Sequence, residues 1–96
     1  MRLEQSEIRN ILDAIRKQDA TASIYLYGSR TDDSLRGGID LLVLSEKISL
    51  SQKFDILIAI KSKIGEQKID LLIKKKADIS SDSFVQSILS TAVALK

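Results

Sequence analysis

Residues 24–43 read IYLYGSRTDDSLRGGIDLLV, and this stretch decides the fold that the sequence predicts. It contains an apolar run, a Gly-Ser turn, a polar loop with two glycines, and a second apolar run that carries Asp40. A charge in a strand that otherwise reads as buried costs several kcal/mol unless it is paired or coordinated. Asp70 repeats the pattern in KIDLLI at residues 68–73. Two strands that each carry one carboxylate among aliphatic residues predict a shared site.

The length and composition indicate one small domain spanning residues 1–96. Hydrophobic residues make up 44% of the chain and charged residues 29%, which is ordinary for a globular protein. The net charge of +2 is too small to indicate nucleic-acid binding. With two Tyr, two Phe and no Trp, the chain also lacks the aromatic residues of a base-stacking platform. We therefore do not expect nucleic acid as a partner.

The sequence contains neither cysteine nor histidine. This excludes a disulfide framework, thiolate or imidazole metal ligation, and Ser-His-Asp or Cys-His catalysis. Any metal would be held by carboxylate oxygens, which favours Mg²⁺, Mn²⁺ or Ca²⁺. No apolar run approaches the ~20 residues of a membrane span, and the N-terminus lacks the apolar region of a signal peptide. We expect a cytoplasmic protein without a membrane partner.

The apolar periodicity predicts three helices and three strands. A buried stripe is expected on the second helix, with Gly65 just after its end, and its members are Leu50, Phe54, Leu57, Ile58 and Ile64. Ser6 is a candidate cap for the first helix, and Ser81 or Ser83 for the last. The predicted helices cover residues 4–18, from Ser49 or Ser51 to about 63, and 81–95, and the predicted strands cover 22–27, 39–45 and 68–74. This order predicts an α/β or α+β domain in which helices cover a three-stranded sheet.

The basic run Lys74-Lys75-Lys76 has two interpretations. It is a solvated strand end that discourages edge pairing, or it meets the phosphates of a triphosphate or a nucleic acid.

If the strand at 68–74 neighbours the strand at 39–45, Asp70 lies beside Asp40, and the Gly28-Ser29 turn reaches the same end of the sheet. Backbone N–H groups after such a turn bind phosphate well, and paired carboxylates bind divalent metal. Together they suit phosphoryl or nucleotidyl transfer. In the alternative interpretation, Gly28-Ser29 is a plain turn and the two carboxylates pair with Lys or Arg.

Over essentially its whole length the chain resembles the minimal nucleotidyltransferases, small members of the DNA polymerase β-like superfamily. The segments that carry the resemblance are YLYGSRTDDS, RGG, IDLLV and KIGEQKIDLLI. The resemblance implies the nucleotidyltransferase fold, a three-stranded mixed sheet flanked by helices in the order α-β-(α)-β-α-β-α. It further implies transfer of a nucleoside monophosphate from a nucleoside triphosphate, with ATP expected, to a protein or small-molecule acceptor. Mg²⁺ or Mn²⁺ is the implied cofactor.

The resemblance also assigns roles to individual residues. Gly28 and Ser29 match the turn that holds the nucleotide phosphates, and Arg30 matches the basic residue that often follows it. Asp40 matches the second carboxylate of the family's Asp-x-Asp motif, a metal ligand. Asp70 matches the third carboxylate, which helps to bind metal and activates the acceptor hydroxyl.

The sequence departs from the family at one position. Similar loops read Gly-Gly-Asp-Ile-Asp-Leu, whereas here Gly38 stands where the first aspartate is expected, and the loop is one residue shorter. Mg²⁺ needs near-octahedral oxygen ligation, so we expect transfer to be slowed, by about 4 kcal/mol or more of transition-state stabilisation. Asp32 or Asp33 is an alternative source of the missing oxygen.

The alternative function that the resemblance implies is a binding module with degenerate catalysis. Such a module is the antitoxin partner of a HEPN-domain toxin. A homo-oligomer is a further association that we expect.

Overall fold

The computed structural model describes residues 4–28, 38–65 and 68–95. Its α+β class agrees with the prediction, but the described sheet has four strands, in the order β3-β2-β1-β4, so the expected three-stranded sheet is wrong. The elements are α1 (Gln5–Gln18), β1 (Ser23–Tyr27), β2 (Ile39–Leu44), α2 (Leu50–Ile64), β3 (Ile69–Lys74), a 3₁₀-helix (Lys76–Ser81), α3 (Ser83–Thr91) and β4 (Val93–Ala94).

The fourth strand corrects the prediction of a continuous helix over residues 81–95. Helix α3 ends at Thr91, and the chain then pairs antiparallel with β1, where Val93 lies opposite Leu26. The backbone N–H of Leu95 donates to the carbonyl of Ile24 at 2.9 Å. The apolar residues of this segment continue a helical period, but pairing with the free side of β1 satisfies backbone groups that the sheet would otherwise leave open. Tertiary context has therefore overridden the local pattern.

The sheet is mixed. Strand β1 pairs antiparallel with β2 and with β4, whereas β2 pairs parallel with β3. Helix α2 connects the two parallel strands, as a parallel connection requires. Strand β2 is therefore central, and every residue of it except Asp40 is buried.

Helices cover both faces of the sheet. Helices α1 and α2 pack on one face and form the larger core, and α3 packs on the other, where Val85 and Ile88 contact Leu42 and Leu44. Alternate residues of β2 therefore enter different cores, in agreement with its aliphatic character on both faces. Side chains of the larger core that solvent does not reach are Ile11, Ile15, Leu26, Ile39, Leu41, Val43, Ile56 and Ile60.

The face that α2 buries differs from the predicted stripe. Ile56 and Ile60 are buried, whereas Leu50, Phe54 and Ile58 are exposed by 68%, 55% and 68%. Leu57 and Ile64 are partly buried against the core, as expected. Apolar residues occur on several sides of this helix, so periodicity alone could not select the buried one. Packing against the sheet and α1 makes that selection and leaves a row of large apolar side chains in solvent.

Two of the helix caps correct the prediction. Glu4 caps α1 instead of Ser6, and its side chain and that of Glu7 form a reciprocal capping box. Asp82 caps α3 instead of Ser81 or Ser83, and its Oδ1 accepts from Val85 N at 3.1 Å. A carboxylate at this position also attracts a cation, and Lys74 Nζ lies 3.3 Å from its Oδ2.

The remaining helix ends agree with the prediction. Ser49 caps α2, and its hydroxyl accepts from Gln52 N at 3.4 Å. The helix ends at Gly65, whose φ of +88° lies in the left-handed region that favours glycine.

A buried polar contact joins the end of α1 to the end of β2. Asp19 is 4% exposed, and its Oδ2 accepts from the hydroxyl of Ser45 at 2.6 Å. Its Oδ1 accepts from both the backbone N–H and the hydroxyl of Thr21, at 3.0 Å and 2.7 Å. The Ser45 hydroxyl in turn accepts from the N–H groups of Lys47 and Ile48. These hydrogen bonds hold the pKa of Asp19 below its ordinary value, the bond from Ser45 having the largest effect.

Within the described ranges, no helix has the length and apolar character needed to cross a bilayer.

Candidate functional site

Asp40 and Asp70 lie side by side in the sheet. Strands β2 and β3 run parallel, and the register places Asp40 directly opposite Asp70. The two residues share a face because each is flanked by core residues that point to the other side. We call Asp40 and Asp70 the carboxylate pair. The adjacency that the sequence predicts is therefore present.

Tyr27 extends the row onto a third strand. It lies opposite Asp40 in the antiparallel register of β1 and β2, so that Tyr27, Asp40 and Asp70 cross three neighbouring strands in order. Tyr27 was not among the site residues predicted from the sequence. Two sequence features could have identified it. Tyr27 immediately precedes Gly28, and the alternation of side chains along the strand puts it on the opposite face from Leu26.

Helix α3 does not cover the part of the sheet where the carboxylate pair lies. Its residues Val85 and Ile88 cover Leu42 and Leu44, farther along β2. The carboxylate pair lies beyond that cover, with Asp40 half-buried and the side chain of Asp70 56% exposed. A ligand can thus reach Asp70 from solvent, while Asp40 forms the inner wall of the site.

The two carboxylates interact directly. The pKa of Asp40 is raised, first by partial burial, then by its hydrogen bond with Asp70 and by the negative charge of that residue. Lys68 acts in the opposite direction on this pKa. A carboxylate pair in contact holds a proton more tightly than an isolated acid because two like charges at this distance disfavour full ionisation. The same position is therefore favourable for a cation that neutralises both groups.

Tyr27 responds to the same charges. Burial raises the pKa of its phenol, and the negative charges of Asp40 and Asp70 raise it further. The phenol therefore stays protonated near neutral pH and is a hydrogen-bond donor beside the pair.

Lys68 offers a test of the alternative in which the carboxylates merely pair with a cationic side chain. Its Nζ lies 4.0 Å from Asp70 Oδ2, at the outer limit of an ion pair, and its side chain is 78% exposed. Such exposed pairs contribute little to stability. Lys68 therefore does not account for the placement of Asp40 on the inner side of the site.

The turn after β1 approaches Asp40 closely. Gly28 has a φ of +77°, and a Cβ atom at this position would collide with the Asp40 carboxyl group. Glycine thus satisfies two requirements here, a left-handed backbone and contact between that backbone and the carboxylate. This places Gly28 at the predicted end of the sheet. Ser29 and Arg30, the other residues assigned to nucleotide phosphates, lie outside the described residues, as do Asp32 and Asp33.

Gly38 is equally constrained, for a different reason. A Cβ atom at this position would lie 2.6 Å from the carbonyl oxygen of Lys68, and that oxygen already accepts from Ile39 N at 2.8 Å. The crowding atom belongs to the backbone just before β3 and cannot rotate away. The backbone at this point therefore has no room for a Cβ atom, nor for the additional aspartate of the nucleotidyltransferases that the sequence resembles.

We expect the substitution Gly38→Asp to destabilise the domain by about 2 kcal/mol without adding metal affinity, because the new Cβ must push β2 and β3 apart. Urea unfolding would measure the loss, and Mn²⁺ titration the affinity. The matched variant inserts Asp between Gly38 and Ile39. The inserted residue takes the same place before Ile39, but the longer loop lets the backbone there move away from the Lys68 carbonyl oxygen. A stable Gly38→Asp variant with tighter Mn²⁺ binding would contradict this expectation.

The donor set fits a divalent cation in part. The carboxylate pair supplies hard anionic oxygens of the type that Mg²⁺ and Mn²⁺ prefer. Among residues 4–28, 38–65 and 68–95, no cluster of three or more carboxylate, imidazole or thiolate side chains is arranged to hold a metal ion. A cation at the pair would therefore take its remaining ligands from a bound triphosphate or from water, as Mg²⁺ commonly does.

Comparison with known proteins adds no family assignment. No protein-family model matches the sequence, and no curated protein matches it at a significant level. The features that bear on function are therefore those of the site itself, namely two carboxylates in register on parallel strands, a tyrosine beside them, and a glycine turn against the inner carboxylate.

Proposed function

We propose that the chain binds a nucleoside triphosphate with Mg²⁺ or Mn²⁺ at the carboxylate pair and is a minimal nucleotidyltransferase. It would transfer a nucleoside monophosphate, with ATP the expected donor, to a protein or small-molecule acceptor. The observation that carries this proposal is the register that places Asp40 opposite Asp70, with Gly28 against Asp40. We further propose that Gly38 limits the rate of transfer.

The electrostatics of the site support cation binding. The raised pKa of Asp40 reflects the cost of ionising a carboxyl group that is, first, partly buried and, second, in contact with the negatively charged Asp70. A divalent cation removes that cost because it neutralises both carboxylates at once. When bound, it would screen the negative charge of the triphosphate and orient the attacking oxygen.

The residues of the chain have distinct roles in the proposed reaction. Asp40, on the inner side, would hold the cation, and Gly28 allows the backbone of the turn to lie next to it. Asp70, the more exposed acid, would help to hold the cation and accept the proton of the acceptor hydroxyl. The acceptor oxygen then bonds to the α-phosphorus while the bond from that phosphorus to pyrophosphate breaks.

A second candidate function is supported by Gly38. The backbone there excludes a third carboxylate side chain, which favours a domain that binds a partner and catalyses weakly or not at all. The antitoxin partner of a HEPN-domain toxin is the form of this function that the resemblance implies. Both functions imply a cytoplasmic location, where nucleoside triphosphates and such partners occur.

Calorimetric titration of ATP in the presence of Mn²⁺ tests the proposal. We expect the unmodified chain to bind, and Asp40→Asn and Asp70→Asn each to weaken binding by about tenfold or more, which is about 1.4 kcal/mol. Asp55→Asn is the matched control, because Asp55 is an exposed carboxylate on α2. Unchanged affinity in both site variants would exclude the carboxylate pair as the site.

Transfer of label from α-³²P-ATP to added proteins separates the two candidate functions. The chain with Asp inserted after Gly38 is the comparison. If it transfers label and the unmodified chain only binds ATP, catalysis is degenerate and the binding function is favoured. If both transfer label at similar rates, the chain is an enzyme as it stands.

A further inference from the structure

Strand β3 is an open edge of the described sheet. It pairs with β2 on one side, and the sheet order places no described strand on its other side. Bonds from Ile39 N to the Lys68 carbonyl and from Ser45 N to the Lys74 carbonyl show which backbone groups face β2. Since the direction alternates along a strand, the N–H and C=O groups of the odd-numbered residues 69, 71 and 73 point away from β2. Such a row is a template for another strand.

Large apolar side chains border this edge on both faces of the sheet. Leu50 and Phe54 of α2 lie on one side, and Phe84 of α3, which is 60% exposed, lies on the other. A groove of about 410 Å³ runs over the edge between Phe54 and Phe84, and its lining includes Leu72 as well as Asp70 and Tyr27 of the candidate site. A second groove joins Leu50 to Leu72 and Ile73. A strand added to this edge would cover apolar surface as well as backbone groups.

We propose that β3 pairs with β3 of a second copy of this chain, antiparallel and about a two-fold axis at Leu72. The inference goes beyond the proposed function and does not rest on it. A two-fold interface uses the same surface on both copies, so the strand must be complementary to itself. The charges of β3 decide which register meets that requirement.

Residues whose backbone groups point away from β2 must lie opposite residues of the same kind in the second copy. Only a few positions of the two-fold axis meet this condition. An axis at Asp70 places two Asp70 side chains opposite each other. An axis at Leu71 places Lys68 opposite Lys74, which again brings like charges together. Like charges directly opposite destabilise a strand pair. An axis at Ile73 places Leu72 opposite the charge of Lys74.

The axis at Leu72 brings no like charges together among residues 70–74. Asp70 lies opposite Lys74 of the second copy, twice by symmetry, and Leu72 lies opposite Leu72. Leu71 and Ile73 of the second copy form the hydrogen-bonded pair. Lys74 also lies 3.3 Å from Asp82 of its own copy, so in the dimer it would lie between two carboxylates. Its positive charge, which discourages the other registers, thus favours this one.

The pairing is short, because β3 ends at Lys74 and the chain turns into the 3₁₀-helix at Lys76. Beyond the paired residues Lys76 would approach Lys68 of the second copy. We therefore expect a reversible dimer that weakens as salt screens the Asp70–Lys74 contacts.

Cysteine cross-linking tests the register directly. The chain has no cysteine, so a single introduced thiol gives an unambiguous product. Leu72→Cys should form an intermolecular disulfide, because opposite residues of a non-hydrogen-bonded pair have Cβ atoms about 5 Å apart. Asp70→Cys should not, because the two copies of that residue would be about 13 Å apart. Ser87→Cys, on the exposed side of α3, measures random collision.

Charge reversal gives a second test that does not require a disulfide. In sedimentation equilibrium, Asp70→Lys and Lys74→Asp should each be monomeric, and an equimolar mixture of the two should dimerise because both contacts are restored. Circular dichroism of each variant establishes that it is folded. The measurement is made with EDTA and without nucleotide, so its outcome is independent of ligand binding at the carboxylate pair.

Two results together would overturn the proposal: a wild-type chain that stays monomeric at high micromolar concentration, and no more cross-linking of Leu72→Cys than of Ser87→Cys. The edge of β3 would then not pair with a second copy of β3. A dimer that both charge reversals leave intact would overturn it as well, because another surface would then form the interface.

Discussion

Replacing Gly28 by alanine should destabilise the domain by about 3 kcal/mol. A left-handed backbone costs a residue with a Cβ atom about 1–2 kcal/mol, and overpacking adds a comparable amount. Both apply here, because Gly28 has a φ of +77° and its Cβ would meet the Asp40 carboxyl group. Urea unfolding followed by circular dichroism measures the loss.

Gly65→Ala is the matched control for this prediction. Gly65 has a φ of +88°, but a Cβ atom there would have no neighbour within 4 Å. It should therefore lose only the backbone contribution, about 1–2 kcal/mol, since its φ of +88° and ψ of −162° favour glycine. Equal losses of unfolding free energy in the two variants would show that contact with Asp40 does not contribute to the destabilisation. In a double-mutant cycle, Asp40→Ala should reduce the penalty of Gly28→Ala, because it removes the crowding atoms.

Replacing Asp19 by alanine should destabilise the domain by about 3 kcal/mol at pH 7. The substitution removes the acceptor for Ser45 and Thr21 and leaves the buried Ser45 hydroxyl without its carboxylate partner. Asp13→Asn is the control, because Asp13 is exposed on the same helix, and we expect its effect to stay within about 0.5 kcal/mol. Equal effects of the two substitutions would refute a structural role for Asp19.

The same contact makes stability depend on acid. The pKa of Asp19 is lowered in the folded chain, so the unfolded chain takes up its proton at higher pH than the folded one. The stability that Asp19 contributes is therefore complete above about pH 5 and declines as pH falls through the ordinary pKa towards the lower folded value. The difference in unfolding free energy between the wild type and Asp19→Ala should be constant from pH 7 to about 5 and shrink at lower pH. A difference that grows on acidification would contradict this.

The carboxylate pair could be predicted in part. Alternation of side chains puts Asp40 and Asp70 on one face once β2 and β3 are neighbours, whereas their register, which sets the two residues opposite each other, is seen only in the structure. The Asp19–Ser45 contact could not, because it joins two chain turns 26 residues apart and neither residue stands out from its neighbours. Strand β4 was missed because Val93 and Leu95 continue a helical period. The phosphate-binding roles of Ser29 and Arg30 stay predictions, because both residues lie outside the described ranges.

The absorption and emission of Tyr27 provide a spectroscopic probe of the site. The chain has no tryptophan and two tyrosines, so its near-ultraviolet absorption and emission come mainly from Tyr25 and Tyr27. Tyr27 adjoins the carboxylate pair, whereas Tyr25 lies opposite Leu42, one step farther along the sheet. Terbium(III) prefers the same oxygen ligands as the divalent cations considered above and emits green light when a nearby phenol transfers excitation energy to it. A terbium ion held by Asp40 and Asp70 would therefore luminesce on tyrosine excitation, and Tyr27→Phe would dim that luminescence far more than Tyr25→Phe.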